Sequence, residues 1–249
     1  MENYNYIDLF HGIGGFALGA YRANMKFKNH FCSDTNRYCQ ELYRKRFPGS
    51  IQLGDVSKIN SKKLLKEYGS NWILTGGFPC QDISIMGKGE GINGKRSGLW
   101  FEYWRLIRDL QPQFAILENV GELVRRGLRE ILGGLVEIGY NAEWQDIRAR
   151  DVGAPHKRER IWIMAYPASI GLQGVRSTRE QKFCQNAKKE KSRSCCDVPF
   201  KPLHRWPTEP DMGRMAHGIP RRVDRIKGLG NSIVPDIAKI LFETIKPLM

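Results

Sequence analysis

The sequence predicts a doubly wound α/β fold whose mostly parallel sheet carries a small insert. Short apolar runs alternate with stretches of helical period through the first two thirds of the chain. Glycines or carboxylates follow several of these runs, whereas residues 171–205 are polar and basic and keep no sustained period. Because strands that alternate with helices of this length pair in parallel through crossovers, the pattern indicates a doubly wound sheet.

The elements follow this rule in chain order. Residues 6–10 form the first predicted strand, which ends at the glycine-rich turn 12–15 and leads into a helix. Further strands are predicted at 30–33, 72–75, 114–117 and 161–165, and helices at 36–47, 100–110, 122–138 and 233–245. Ligands of such sheets bind beyond the carboxyl ends of the strands. Gly12, Cys80 and Glu118 each fall at such an end, so we expect them at one site.

The charge of the chain indicates a polyanionic partner. Of its 249 residues, 40 are Lys or Arg and 26 are Asp or Glu, which gives a formal net charge of +14. Such an excess is typical of nucleic-acid binding, and a basic surface kept for solubility is the alternative. No apolar run approaches the roughly 18 residues of a membrane span. Six scattered cysteines without an export signal at the first residues predict a reduced, cytoplasmic setting.

Cys80 stands at the end of a fixed turn, Gly76-Gly77-Phe78-Pro79, that follows an apolar strand. A structural cysteine packs like a small hydrophobe and needs no such turn, whereas a nucleophile must be held where a reacting atom can approach it. The polar segment 81–98 that follows contains five glycines, which suits a mobile lid over a site. We therefore predict that Cys80 is a nucleophile beneath a lid.

Four further features of the sequence are candidates for ligand binding or acid catalysis, and each of them also has a purely structural interpretation. The glycines of turn 12–15 let the backbone approach a nucleotide-like ligand, or simply make a tight turn. Asp34 either accepts hydrogen bonds from ribose hydroxyls or caps the next helix. Asp55 either accepts a hydrogen bond from an adenine amine or belongs to a turn. Glu118 is either an acid in a partly desolvated site or a helix cap.

Five motifs occur in an order that makes the combination specific. They are residues 8–16 (DLFHGIGGF), 76–81 (GGFPCQ), 117–120 (LENV), 153–162 (GAPHKRERIW) and 228–235 (GLGNSIVP). In these motifs the chain resembles the cytosine-C5 DNA methyltransferases, which use S-adenosylmethionine. The resemblance covers nearly the whole chain except the insert, and it implies a Rossmann-like methyltransferase sheet.

The resemblance also implies roles for single residues. Cys80 matches the nucleophile that adds to carbon 6 of cytosine, and Glu118 matches the carboxylate that contacts N3 and the exocyclic amine. Arg158 matches the residue that holds the carbonyl oxygen of the base, and Arg160 lies two positions along the same predicted strand. The expected cofactor-binding residues are Phe10, Gly12, Gly14, Asp34, Asp55, Asn231 and Ser232.

The family flips its target cytosine out of the duplex, which implies DNA contacts from the lid and the insert. Gln81, Ser84 and Met86 of the lid are expected at the DNA. Met86 either wedges between base steps or packs on the catalytic domain. The lysines of the insert expected to contact phosphates are Lys188, Lys189 and Lys191.

We expect three parts: a catalytic and cofactor-binding domain over 1–166, a small target-recognition region over 167–226, and a C-terminal helix over 227–249 that returns to the large domain. The usual arginine-rich leucine motif is not recognisable, and residues 206–210 (WPTEP) and 221–225 (RRVDR) stand in its place. This departure, together with the short insert, is similar to a small prokaryotic and phage branch of the family.

The expected partner is double-stranded DNA, bound by a monomer, in restriction–modification or phage self-protection. A tRNA cytosine methyltransferase is the first alternative, although its Cys-Phe-Thr signature is absent. A catalytically silent DNA-binding regulator is the second, and the intact Cys80, Glu118 and Arg158 disfavour it. No metal is expected, because the spacing of the insert residues Cys184, Cys195, Cys196 and His204 fits no closed zinc pattern.

Overall fold

The computed structural model of the protein describes residues 3–79, 98–170 and 222–249, and its centre is one sheet. The described residues form seven strands, namely β1 (Asn5–Leu9), β2 (Asn29–Ser33), β3 (Ile51–Gly54), β4 (Trp72–Gly76), β5 (Phe114–Val120), β6 (Tyr140–Arg148) and β7 (Glu159–Pro167). Their order in the sheet is β3-β2-β1-β4-β5-β7-β6.

Helices cover both faces of this sheet. In chain order they are α1 (Gly15–Arg22), α2 (Arg37–Arg46), α3 (Ser61–Tyr68), α4 (Leu99–Leu110), α5 (Leu123–Arg126), α6 (Leu128–Glu137), α7 (Arg222–Asn231) and α8 (Pro235–Ile245). None of the helices in these described ranges has both the length and the apolar composition needed to cross a membrane.

Successive strand residues point to opposite faces, so each face has its own core. On one face Leu74 and Leu117 pack with residues of α3, α4 and α6. On the other face Ile73 and Ile116 pack with residues of α1, α2 and α8. The predicted doubly wound α/β architecture is therefore confirmed.

The sheet is parallel from β3 to β5, and among the described strands β7 alone runs the other way, whereas β6 has the same direction as β5. β7 pairs antiparallel with β5, with Glu118 opposite Trp162, and β6 pairs antiparallel with β7. The strand predicted at 161–165 is thus present, as part of β7, and it is the reversed strand of the predicted mostly parallel sheet. The physical reason is the connection: residues 149–158 join β6 to β7 with only a short 3-10 turn, and a parallel pair needs a longer crossover.

Several elements were not predicted, because their patterns are weak. β3 is a four-residue edge strand that is nowhere fully buried. β6 also forms an edge, and most of its side chains are exposed, including Trp144. The helix predicted over 122–138 is divided at Gly127 into α5 and α6.

The C-terminal helix α8 packs closely against α1. A Cβ added at Gly19 would lie 2.5 Å from the Cβ of Ala238 and 2.7 Å from the carbonyl oxygen of Pro235. An ion pair between Arg22 Nη1 and the buried Asp236 Oδ1, at 2.9 Å, joins the same two helices. The end of the chain thus supports the helix that follows the glycine-rich turn. The division into three parts stays a prediction, and α7 spans its second boundary at 226/227.

Candidate active site

A cavity of about 400 Å³ lies at the carboxyl edge of the parallel strands. It is bordered by the residues that directly follow β1 to β4 and by the end of β5, which is where ligands of such sheets bind. The predicted site residues that line it are Phe10, Gly12, Asp34, Asp55, Glu118, Arg158, Arg160 and Asn231. The fold therefore brings together residues that are more than 200 positions apart in the chain.

The loop after β1 owes its shape to left-handed backbone conformations. Phe10, Gly12 and Gly14 have φ values of 51°, 52° and 85°. A Cβ at Gly12 would meet nothing closer than the carbonyl oxygen of Phe10 at 4.0 Å, so the cavity is open beside it. A Cβ at Gly14 would lie 2.7 Å from the ring of Phe47, and Gly14 does not line the cavity. Gly14 thus packs against α2, away from the expected cofactor contact.

Asp8 contacts the first turn of the helix that follows this loop, a role that sequence reasoning missed. It is completely buried in β1 and accepts hydrogen bonds from the hydroxyls of Tyr43 (3.0 Å) and Thr75 (3.1 Å). It also accepts the backbone N–H of Ala17 in the first turn of α1. Burial raises the pKa of Asp8 to about 8. The available signal was a carboxylate inside an otherwise apolar strand.

Asp34 links the loops after β1 and β2. Its Oδ2 accepts the Gly12 N–H at 2.9 Å, and its Oδ1 accepts the Asn36 N–H at 2.7 Å. The cap of α2 is Asn36, whose side chain accepts the N–H of Cys39. Asp34 is therefore not the helix cap that was considered as an alternative, and it faces the cavity.

Asp55 lies at the start of a short 3-10 turn, in agreement with its interpretation as a turn residue. Its Oδ1 accepts hydrogen bonds from the N–H of Ser57 (3.0 Å) and from the Ser57 hydroxyl (2.9 Å). These hydrogen bonds lower the pKa of Asp55, so the side chain is a carboxylate. Because Asp55 also lines the cavity, its turn geometry and a ligand contact are compatible.

Glu118 is the buried acid of the cavity. It lies inside β5, two residues before the end of the strand, and it caps no helix, since α5 follows Glu122. Its Oε1 is 3.2 Å from Arg160 Nε, but not in hydrogen-bond geometry, and has no hydrogen-bond partner among the described residues. Burial raises the pKa of Glu118 to about 7, against the lowering effect of Arg160 and Arg158. A Cβ at Gly77 would lie 2.7 Å from Oε2.

The two arginines of the fourth motif point to different partners. Arg158 donates from Nη1 to the carbonyl oxygen of Gly230 (2.9 Å) and from Nη2 to that of Ser232 (2.6 Å). Because β7 begins at Glu159, the pleat of the strand does not align Arg158 with Arg160. The structure thus places Arg160 beside Glu118, and Arg158 at the junction of α7 and α8. Arg158 also lines the cavity, and its expected contact with the base stays a prediction.

The last motif contributes one cavity residue. Asn231 ends α7 and lines the cavity, whereas Ser232 does not line it. The Ser232 hydroxyl instead donates to the carbonyl oxygen of Leu229 at 2.9 Å. Of the two expected contacts in this turn, the structure brings only Asn231 to the site.

The turn that leads to Cys80 reaches the cavity. Gly77, Phe78 and Pro79 line it, and the Asn119 side-chain amide donates to the carbonyl oxygen of Phe78 at 3.3 Å. Cys80 itself lies outside the described residues. The residues expected to bind DNA also lie outside the described residues, namely Gln81, Ser84, Met86, Lys188, Lys189 and Lys191. The same holds for the insert residues whose spacing fits no zinc pattern, namely Cys184, Cys195, Cys196 and His204.

The fold and this cavity define a Rossmann-like α/β protein of the methyltransferase class. The chain belongs to the C-5 cytosine-specific DNA methylases, whose family profile matches residues 4–208. The family that the five motifs resemble is thereby confirmed.

Individual relatives agree with this assignment. The chain is 38% identical over 167 residues to the type II methyltransferase M1.ScrFI of Lactococcus lactis subsp. cremoris, which covers 66% of this chain and 41% of the relative. It is 37% identical over 177 residues to M.HpaII of Haemophilus parainfluenzae, covering 69% and 48%. The solved structure of the Entamoeba histolytica methyltransferase EhMeth superposes with a TM-score of 0.54 at 26% identity, covering 67% and 53%. The chain thus spans about half the length of these relatives.

Proposed function

We propose that the protein transfers a methyl group from S-adenosylmethionine to carbon 5 of cytosine in double-stranded DNA, through a covalent adduct with Cys80. The observation that carries this proposal is the position of Glu118. This buried carboxyl group, beside Arg160, lines the same cavity as Pro79, the residue directly before Cys80. A nucleophile and an acid of raised pKa at one site are the pair that activation of cytosine requires.

The chemistry follows from the low nucleophilicity of carbon 5. The Cys80 thiolate forms a bond to carbon 6, and the electron pair of the 5,6 double bond makes an enamine whose carbon 5 is nucleophilic. S-adenosylmethionine would supply the methyl group as an electrophile, with the bond from its sulfur to the methyl carbon breaking and the sulfur leaving as a neutral thioether. Loss of the proton from carbon 5 and departure of the thiolate from carbon 6 restore the double bond. The enzyme is regenerated, and the base has exchanged one proton for one methyl group.

Glu118 compensates the charge that develops on the ring. With a pKa of about 7, a substantial fraction of this side chain is protonated near neutral pH and donates to N3 as the thiolate adds. The ionised form accepts the exocyclic N–H. The buried Oε1, which has no hydrogen-bond donor in the described part of the chain, supports a ligand N–H as its partner. Arg160, beside Glu118, and Arg158, which also lines the cavity, are the arginines proposed to hold the carbonyl oxygen of the base.

Burial of Glu118 also supports base flipping. Its side chain lies in the wall of a cavity, so a cytosine stacked within a duplex cannot reach it. Proteins that modify such atoms rotate the nucleotide out of the helix. The net charge of +14 supports attraction of the phosphate backbone. Contacts from Gln81, Ser84, Met86 and the insert lysines remain part of this proposal.

The cavity residues fit S-adenosylmethionine better than a phosphate-bearing cofactor. In dinucleotide-binding folds the pyrophosphate sits at the N-terminus of the helix after the glycine-rich loop. Here an N–H of that turn, at Ala17, is already directed to the buried carboxyl group of Asp8, so it is not free to bind a phosphate. A methyl donor without phosphate avoids this conflict. The residues that would hold it are Phe10, Gly12, Asp34, Asp55 and Asn231.

The proposal is tested with duplex DNA that contains 5-fluorocytosine, with S-adenosylmethionine present. Fluorine cannot leave carbon 5 as a proton does, so the wild type should form an adduct that survives denaturing electrophoresis. Cys80→Ser should form none, whereas Cys39→Ser, a change at another cysteine of the cavity wall, should still form it. An adduct in Cys80→Ser would refute the nucleophile.

The substrate class is tested with unmodified polymers. We expect labelled methyl transfer to duplex DNA and none to tRNA. Transfer to tRNA alone would support the tRNA cytosine methyltransferase instead. DNA binding without transfer to either polymer would support a silent regulator.

A further inference from the structure

The loop from Phe10 to Gly14 needs support from its surroundings. It holds three left-handed backbone conformations, one of them at the non-glycine residue Phe10. Such conformations persist only where the surrounding structure over-determines them. The loop packs against α2 through two residues: Arg46, whose Nη1 donates to the carbonyl oxygen of Ile13 at 2.9 Å, and Tyr43.

Tyr43 contacts the loop through its ring. The ring centroid lies 4.1 Å from that of His11. Two of its ring carbons lie 3.1 Å from the position of a Cβ at Gly14. The side chain is fully buried. The ring thus packs against the same loop whose residues Phe10 and Gly12 line the cavity.

The hydroxyl of Tyr43 belongs to a directed chain of hydrogen bonds. It donates to Asp8 Oδ2 at 3.0 Å, so the contact of 2.8 Å with His30 Nε2 must have the histidine as donor. His30 Nδ1 then accepts the hydroxyl of Tyr21 at 3.2 Å. Each donor in the chain points toward Asp8, which holds the first turn of α1 through Ala17.

Tyr43 also connects the loop to Asp34. The helix of Tyr43 begins directly after Asp34 and Asn36, and Asp34 accepts the Gly12 N–H. Gly12 is therefore connected to Asp34 by a hydrogen bond, Asp34 to Tyr43 through the start of α2, and Tyr43 to the same loop by its contact with Gly14. A displacement of Tyr43 moves both sides of the candidate cofactor site.

We propose that Tyr43 is a positioning residue for the cofactor loop: its hydroxyl orients Asp8 at the start of α1, and its ring supports the loop at His11 and Gly14. This role rests on the proposed function, in which the loop binds S-adenosylmethionine. Tyr43 touches no ligand, because it does not line the cavity.

Tyr43→Phe tests this role, because it keeps the ring and removes the hydroxyl. We expect the Kd for S-adenosylmethionine, measured by calorimetry, to rise by up to about tenfold, as for the loss of one intramolecular hydrogen bond. At saturating cofactor, kcat and the KM for DNA should stay within about twofold of wild type, since the cytosine side of the cavity is unchanged.

Tyr140→Phe is the matched control. Tyr140 is also a buried tyrosine, and its hydroxyl donates to the carbonyl oxygen of Pro112 at 2.6 Å, near the amino end of β5. Both variants should lose thermal stability, but only Tyr43→Phe should weaken cofactor binding. An equal effect of both variants on the Kd, or a fall in kcat at saturating cofactor, would overturn the positioning role.

Two further measurements keep the proposal falsifiable. Thr75→Val removes the hydroxyl donor to the other oxygen of Asp8 and should weaken cofactor binding in the same direction. Amide exchange at Ala17 should accelerate in Tyr43→Phe without any ligand, and unchanged exchange would overturn the proposal. A wild type that binds no S-adenosylmethionine would instead overturn the proposed function on which this role depends.

Discussion

Glu118→Gln should remove methyl transfer and, at the same time, stabilise the folded protein at alkaline pH. The reason is the burial of the carboxyl group, which raises its pKa from 4.5 to about 7. A folded-state pKa above the unfolded value means that the folded protein binds the proton more tightly. This contribution to stability is fully present below about pH 4.5 and is lost as the pH rises through about 7.

The magnitude follows from the shift. One pKa unit corresponds to about 1.4 kcal/mol, so ionised Glu118 lowers the free energy of unfolding by about 3 kcal/mol relative to its neutral form. Glutamine has a similar shape and cannot ionise. The free energy of unfolding of Glu118→Gln should therefore exceed that of wild type by about 1 kcal/mol at about pH 5 and by about 3 kcal/mol at about pH 8.

Urea denaturation of both proteins at the two pH values measures this difference. Glu122→Gln is the control for the loss of a carboxylate, because Glu122 pairs with Arg126 at 3.0 Å outside the cavity. A difference between Glu118→Gln and wild type that does not grow with pH would refute the reasoning. It would mean that Arg160 and Arg158 keep Glu118 ionised in the folded protein at all these pH values.

Three further changes test the supporting contacts. Gly19→Val places a side chain against Ala238 and backbone atoms of α8 that cannot move independently, so thermal denaturation should show a loss of about 1–3 kcal/mol. Arg22→Met leaves the buried Asp236 without its 2.9 Å partner, and denaturation should show a loss of about 1–3 kcal/mol, whereas an unchanged midpoint would argue against the ion pair. Asp34→Ala should weaken S-adenosylmethionine binding by roughly 1.5–3 kcal/mol in calorimetry, and an unchanged affinity would leave Asp34 with only its backbone contacts.

Sequence patterns predicted the central strands and missed the edges for the same physical reason. β1, β4 and the first residues of β5 are buried on both faces, so they appear as continuous apolar runs. β3 and β6 are edge strands with exposed side chains, and no apolar run marks them. Burial is recorded in residue type, whereas membership of an exposed edge depends mostly on backbone hydrogen bonds.

The residues of the candidate site were likewise predicted only in part. Asp34 and Glu118 were predicted because polar side chains directly after apolar runs stand at the ligand-binding edge of such sheets, whereas Asp55 was predicted from its turn and the family resemblance. The role of Asp8 was missed, because its partners Tyr43 and Thr75 are 35 and 67 positions away. Gly14 was assigned to the cofactor, yet its contacts are the rings of α2.

The sequence by itself determined the fold class, the family and the order of the stations around the cavity, because these depend on local burial and on motif order. Only the tertiary structure decided the reversed direction of β7, the separation of Arg158 from Arg160, and the contact of Asp8 with the first turn of α1. Each of these depends on contacts between distant parts of the chain: Arg158 donates to carbonyl oxygens 72 and 74 positions away. A linear pattern records what each residue is, whereas the partners of a guanidinium or a carboxylate are set by the packing that brings them together.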